Sequence, residues 1–289
     1  MIDIQRRKLV KKLGLLAATA VWHPVFGGGH ARRADRSIGA CDWSIGKTAD
    51  PSAFSRAREI GLDGVQVSLG TAQNDMHLRQ PPMQQAYLQA SSEQGVRIAS
   101  LAIGELNRVP YKSAPETEAW VRDSIDVASA LSCTNILLAF FGKGDLRDDP
   151  EGKAEVVRRL RKVAPKAEEM GVNLAIESWL SAEEHLELIE AIGSPNVKVY
   201  YDVANATEMG YDIFREMELL GTEHICEIHF KENGNLLGQG KVDFARVKGT
   251  LDKIGYTNWI IMEGALPNGA EIVPAYQQNL KFVRKLIRS

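Results

Sequence analysis

The residues of this chain best suited to hold a cation close four strand-like runs: Glu177 in LAIESW, Asp202 in VYYDVAN, His229 in EIHFKE and Glu263 in IIMEG. Each run is apolar until its end, then presents a carboxylate or an imidazole before a polar loop. A lone histidine in such a run is ordinarily a hydrogen-bonded core residue. Three carboxylates and an imidazole at equivalent places on successive runs are a different matter, because converging carboxylates repel one another in a poorly hydrated site. A divalent ion removes that cost. Oxygen-rich ligation with one imidazole suits Mn²⁺, Mg²⁺ or Co²⁺ and also admits Zn²⁺. Side chains alternate along a strand, so an inward Glu263 brings Trp259 and Ile261 inward, Tyr200 accompanies Asp202, and Glu227 and Lys231 accompany His229.

The elements that must position these groups recur as one unit: a short β-rich apolar run, a polar loop, then a stretch with helical spacing. The strand candidates are SIGACDW, DGVQVSL, RIASLAI, TNILLAF, VNLAIES, VKVYYDV, HICEIHF and NWIIMEG. Between them lie helical segments such as SAFSRAREIG, EGKAEVVRRLRKVAPKAEEMG and SAEEHLELIEAIG, and PAYQQNLKFVRKLIR closes the chain. Gly61, Gly95, Gly171, Gly193, Gly221 and Gly255 each follow the last apolar-periodic residue, as a helix C-terminus requires. Strict strand–helix alternation calls for a parallel sheet. Eight units after a short leader predict a closed (β/α)8 TIM barrel, an α/β fold in a single domain of residues 35–289. An open doubly wound sheet is the alternative, although no GxGxxG follows the first strand and there is no P-loop. In such a barrel the site forms at the C-terminal ends of strands, where the four ligand candidates fall.

Residues 1–34 read differently. Arg6, Arg7, Lys8, Lys11 and Lys12 precede the apolar LGLLAATAVW and a loose, Gly-rich VFGGGHARRA. QRRKLVK resembles a twin-arginine signal, which predicts an exported, periplasmic protein. The apolar run is too short for an ordinary membrane-spanning helix, so no stable span is expected in the mature protein. A net charge of -2 in 289 residues, without a basic stripe, excludes the electrostatic footprint of a nucleic-acid binder. Cys41, Cys133 and Cys226 are odd in number and far apart, which matches buried free thiols rather than a disulfide framework.

The series IES, YYDVANA, IHFKE followed by GQGKVDF, and IIMEG resembles the xylose isomerase-like superfamily of TIM barrels, the sugar isomerase and epimerase group. The resemblance implies that Glu177, Asp202, His229 and Glu263 hold a divalent metal. It also implies that Glu177 and Glu263 flank a small carbohydrate and move a proton between neighbouring carbons. Polarising the carbonyl makes the adjacent C–H acidic, and the two glutamates can serve as base and acid. Asn205 stands where many epimerases of the group carry a histidine, and Ser178 where asparagine is common, so the substrate is the least determined feature. Trp43, Glu105, Lys143, Asn205 and Lys231 are the substrate-binding candidates at strand ends. Glu227 is expected to pair with Lys231 or Lys198, His185 to lie on a helix surface, and Gly238 and Gly240 to bring backbone close to the site. The leading expectation is a metal-dependent isomerase or epimerase of an unphosphorylated sugar, with a homo-oligomer allowed. The alternatives are a lyase or deglycosidase acting on a keto-glycoside, and a non-catalytic sugar-binding barrel. An endonuclease-IV-like phosphodiesterase needs more histidines than this chain provides.

Overall fold

The structure, a computed structural model, describes residues 36–288; the expected signal segment 1–34 lies outside the described residues. The strands are β1 (Ile38–Cys41), β2 (Gly64–Ser68), β3 (Arg97–Ile103), β4 (Asn135–Phe140), β5 (Asn173–Ser178), β6 (Val197–Asp202), β7 (Ile225–Lys231) and β8 (Ile260–Glu263). All are parallel, they pair in chain order, and β8 pairs back onto β1. The sheet is therefore closed, and the open alternative is excluded. Around it lie α1 (Ala53–Ile60), α2 (Pro81–Gln94), α3 (Glu116–Ala130), α4 (Pro150–Glu169), α5 (Ala182–Ile192), α6 (Val203–Glu208), α7 (Ile213–His224), α8 (Phe244–Lys253) and α9 (Ile272–Arg288). The sequence shows all of these helices except α6, whose six residues are too few to display a period. No described helix is long and apolar enough to cross a membrane.

Burial separates the outer and inner faces of the sheet. The outward residues join the helices in one large apolar cluster, whereas a smaller cluster inside the barrel contains Cys41, Leu137, Ala139, Ala175, Tyr200 and Ile261. Trp259 and Ile261 fill the lower interior because β1 and β2 carry glycine opposite them. A Cβ at Gly64 would lie 2.5 Å from the Trp259 ring, and one at Gly39 would lie 2.8 Å from Ile261 Cδ1. Two register irregularities interrupt the ladder, at Val65/Gln66 and at Val199/Tyr200. Each immediately precedes a polar residue inside the barrel, a common use of such defects.

Several expectations change here. His185 is buried, not on a surface: its Nδ1 donates to Ser181 O and its Nε2 accepts from Ser178 Oγ, both at 2.9 Å. Ala182, His185, Leu188, Ile189 and Ile192 form the buried stripe of α5. Burial, the largest influence, lowers the His185 pKa to about 4. Gly238 packs against Phe282 and Gly240 against the Glu232 carboxyl, and neither lines the cavity at the strand ends. The three cysteines are free and buried, as expected.

Candidate active site

Parallel strands place successive C-terminal ends at one mouth, so β5 to β8 deliver Glu177, Asp202, His229 and Glu263 to a common point. One ligand atom from each lies within 4.8 Å of all the others. His229 Nδ1 is 2.9 Å from Glu177 Oε1, 3.4 Å from Glu263 Oε2 and 3.9 Å from Asp202 Oδ2.

Asp202, Glu263 and His229 are each anchored through one atom and turn another toward the cluster. Asp202 Oδ1 accepts from the backbone N–H groups of Ala204 and Asn205, capping α6, and this leaves Oδ2 buried with no hydrogen-bond partner. Glu263 Oε1 accepts from the indole N–H of Trp43 at 2.9 Å. Its Oε2 is buried and makes an ion pair with Lys231 Nζ at 2.9 Å, without a well-formed hydrogen bond. His229 Nε2 faces Gln66 Oε1 at 2.9 Å and Cys41 Sγ at 3.5 Å. The Gln66 amide donates through Nε2 to Ser100 Oγ, so its oxygen is the atom turned to the imidazole. An acceptor at that place assigns the proton to His229 Nε2 and directs Nδ1 to the carboxylates, as metal-binding histidines require.

Charges at the cluster shift one another. Burial alone would lower the His229 pKa, but Glu177 and Glu263 outweigh it and raise it to about 9. Burial raises Asp202 to about 7 despite Lys231. Glu263 goes the other way: burial would raise it, yet His229 and Lys231 bring it down to about 2. Lys231 is raised because Glu263 and Asp202 overcome its burial. Buried carboxylates around a cationic imidazole, with Asp202 Oδ2 making no hydrogen bond and only ion pairs to Lys231 Nζ at 3.5 Å and His229 Nδ1 at 3.9 Å among the described residues, fit a divalent cation that would take the place of the Nδ1 proton. The donor set of carboxylate oxygens and one imidazole suits Mn²⁺, Mg²⁺ or Co²⁺, and Zn²⁺ is compatible.

A cavity of about 380 Å³ opens above this centre, lined among others by Trp43, Glu105, Asn205, Lys231, Glu177 and Glu263. Four of the five substrate-binding candidates thus reach it. Lys143 does not: it is exposed, on the short 3-10 turn Gly142–Gly144, and is not part of the lining. Phe141, Trp179 and Asn107 line the cavity without having been picked out from the sequence. The signal was available for Trp179, which follows Glu177 by two residues and so shares its face. Gln66 carried a similar signal, a polar residue in the middle of the apolar run GVQVS.

Glu227 pairs with neither expected lysine. Lys231 turns to Glu263 and Asp202, and Lys198 Nζ donates to Glu223 O. The Glu227 carboxyl is fully buried beneath His229 against Ser100, Tyr200 and Asn135, with neither oxygen in good hydrogen-bond geometry. Burial raises its pKa to about 7.

Residues 54–286 match the model of a family described as xylose isomerase-like TIM barrel. The putative L-ribulose-5-phosphate 3-epimerase SgbU of Escherichia coli (strain K12) is 27% identical over 240 residues, covering 74% of this chain and 82% of that protein. The 2-epi-5-epi-valiolone 7-phosphate 2-epimerase of Actinoplanes sp. is 24% identical over 176 residues, 61% of this chain and 64% of that one. That match spans just under two thirds of the relative. Among solved structures, D-psicose 3-epimerase with D-tagatose from Clostridium cellulolyticum H10 superposes with a TM-score of 0.73 at 18% identity, covering 87% of this chain and 99% of that one. At that identity the likeness is one of fold.

Proposed function

This chain belongs to the xylose isomerase-like TIM barrel family, and from that premise we propose that it is a divalent-metal-dependent isomerase or epimerase of an unphosphorylated sugar, moving a proton at a carbon next to a carbonyl. The observation that carries the reading is the four-residue cluster within 4.8 Å, in which, among the described residues, the buried Asp202 Oδ2 and Glu263 Oε2 are met only by the ion-pairing Lys231 and His229. Glu177, Asp202, His229 and Glu263 would hold the divalent ion, which would supply charge neutralisation and polarisation of a sugar oxygen. The protein supplies the proton carriers. Glu177 and Glu263 both line the cavity, and the stereochemistry of the sugar decides which takes the C–H proton and which returns one. Trp43 fixes Glu263 through Oε1, so Oε2 is the atom left for chemistry. Lys231, at 2.9 Å, holds that carboxyl ionised and fit to accept a proton.

The cavity lining supports a sugar without phosphate. Two curated relatives are named for phosphorylated substrates, yet here Lys231 is the one cation among the lining residues and is committed to Glu263 and Asp202. Arg108 and Arg147, on the loops after β3 and β4, are paired with Glu105 and Asp145. A phosphate would meet three glutamates, Glu105, Glu177 and Glu263, with no free positive partner in the lining. The twin-arginine-type leader supports a periplasmic site of action, which also disfavours phosphosugars.

The test is incubation of the protein, loaded in turn with Mn²⁺, Mg²⁺, Co²⁺ or Zn²⁺, with ketoses, aldoses and keto-glycosides in D₂O. Deuterium should enter a carbon beside the carbonyl, and a chelator should abolish this. A released aglycone would reveal the lyase reaction instead. No deuterium in any sugar with any metal would leave a binding barrel.

A further inference from the structure

Resting on that reading, we propose that the outer wall of the cavity is a subsite for a second sugar ring, so that the substrate is a neutral disaccharide whose reacting ring lies at the four-ligand centre. The register of β4 with β5 pairs Ala139 with Glu177. Phe141 and Trp179 each come two residues later, one inward-facing position further out and about 7 Å above the ligand level. Their rings meet edge to face with centroids 5.0 Å apart, and both line the cavity.

This aromatic wall is held rigidly. The Arg147 guanidinium lies 4.6 Å over the Trp179 ring, and Asp145 holds that guanidinium through Nη2 at 2.7 Å. Trp179 O accepts from Tyr211 OH at 3.0 Å. Phe141 N donates to Asn107 Oδ1 at 2.8 Å, which leaves the Asn107 amide NH₂ without a partner among the described residues, on the cavity wall. A preorganised apolar face beside a free amide donor is what a sugar ring asks for, since its C–H face stacks on aromatic surface while its hydroxyls need polar partners. Trp43 is hydrogen-bonded to Glu263, and the lining continues past the ligand centre over Gly104 and the small Ala139 side chain on the β3–β4 side and over Ser68, Gly70 and Thr71 after β2.

The experiment compares affinities of the Mn²⁺-loaded full chain for D-fructose and for three disaccharides with fructose at the reducing end, lactulose, maltulose and isomaltulose, by calorimetry. At least one disaccharide should bind tenfold or more tighter than fructose. Trp179→Ala should cut that disaccharide-to-fructose ratio at least tenfold, and Phe141→Ala on the neighbouring loop provides a second reading should the first variant fold poorly. Disaccharides that bind no tighter than fructose, or not at all, overturn the proposal, as does a ratio unmoved by either variant. Deuterium exchange on the same samples separates the two levels: tight disaccharide binding without exchange would sink the proton-transfer reading and uphold the subsite.

Discussion

Two groups of buried acids share the interior of this barrel and are handled in opposite ways. At the mouth, Glu177, Asp202 and Glu263 face the cationic side chains of His229 and Lys231. One position lower on the same face of β7, Glu227 is fully buried against the neutral Ser100, Tyr200 and Asn135, and the charge of His229 above it is too weak to offset that burial. The upper group answers charge with charge and keeps Glu263 ionised. The lower group answers burial by protonation, which is why Glu227 is raised to about 7. Among the described residues, only the upper arrangement brings three carboxylates and an imidazole to one point, and the difference comes from neighbours rather than from residue type.

The sharpest break of this contrast is Glu263→Gln. It keeps the Trp43 contact in shape but removes the proton acceptor, so deuterium exchange should fall by about 10² to 10⁴-fold. Exchange within threefold of the native rate would move catalysis elsewhere. The lower group is tested through pH. Because the folded pKa of Glu227 exceeds the ordinary value of 4.5, the folded state holds a proton that the unfolded state has lost between pH 4.5 and about 7. That contribution is complete below pH 4.5 and is lost as pH rises through 7, a loss of about 3 kcal/mol. Urea unfolding of metal-free Glu227→Gln at pH 5 and pH 8 should show a decline smaller than the native one by about 2.5 kcal/mol, part of the loss having already occurred at pH 5. An identical decline would mean that Glu227 is charged in the fold.

The two groups also communicate. Gln66 sets the His229 tautomer from below, so Gln66→Leu should weaken Mn²⁺ binding about 10 to 100-fold in a titration. Unchanged affinity would show that the mouth needs no support from the floor. Trp43→Phe is expected to have the mildest effect, roughly a tenfold loss in exchange rate with metal affinity retained, because a single hydrogen bond to a charged oxygen disappears.

Sequence pattern alone locates the eight strands and the four residues that cluster at their ends, because strand ends in a barrel converge whatever the loops do. What it misses is depth. Alternation says that Glu227 and Lys231 share a face with His229, but it does not say that one lies below the imidazole and the other beside Glu263. The spacing of Glu227 and Lys231 suggested a partner that the pleat carries out of reach. His185 was masked by its acidic neighbours Glu183, Glu184 and Glu187, although its spacing from Ala182, Leu188, Ile189 and Ile192 marks the buried face. Lys143 shows the reverse limit: lying just past a strand end does not guarantee reaching the cavity when a 3-10 turn intervenes. Phe141 and Trp179 look like ordinary loop aromatics until the register of β4 against β5 sets them side by side.

Asp202 has two employments, starting a helix with one oxygen and facing the imidazole with the other. Asparagine caps a helix about as well as aspartate does, so an Asp202→Asn lineage would give up a charged oxygen of the cluster and still look intact, whereas alanine would fray the chain just beyond β6 as well. A descendant of this barrel that abandoned chemistry would therefore be expected to carry the amide at this position, making residue 202 a marker by which working and retired copies could be told apart.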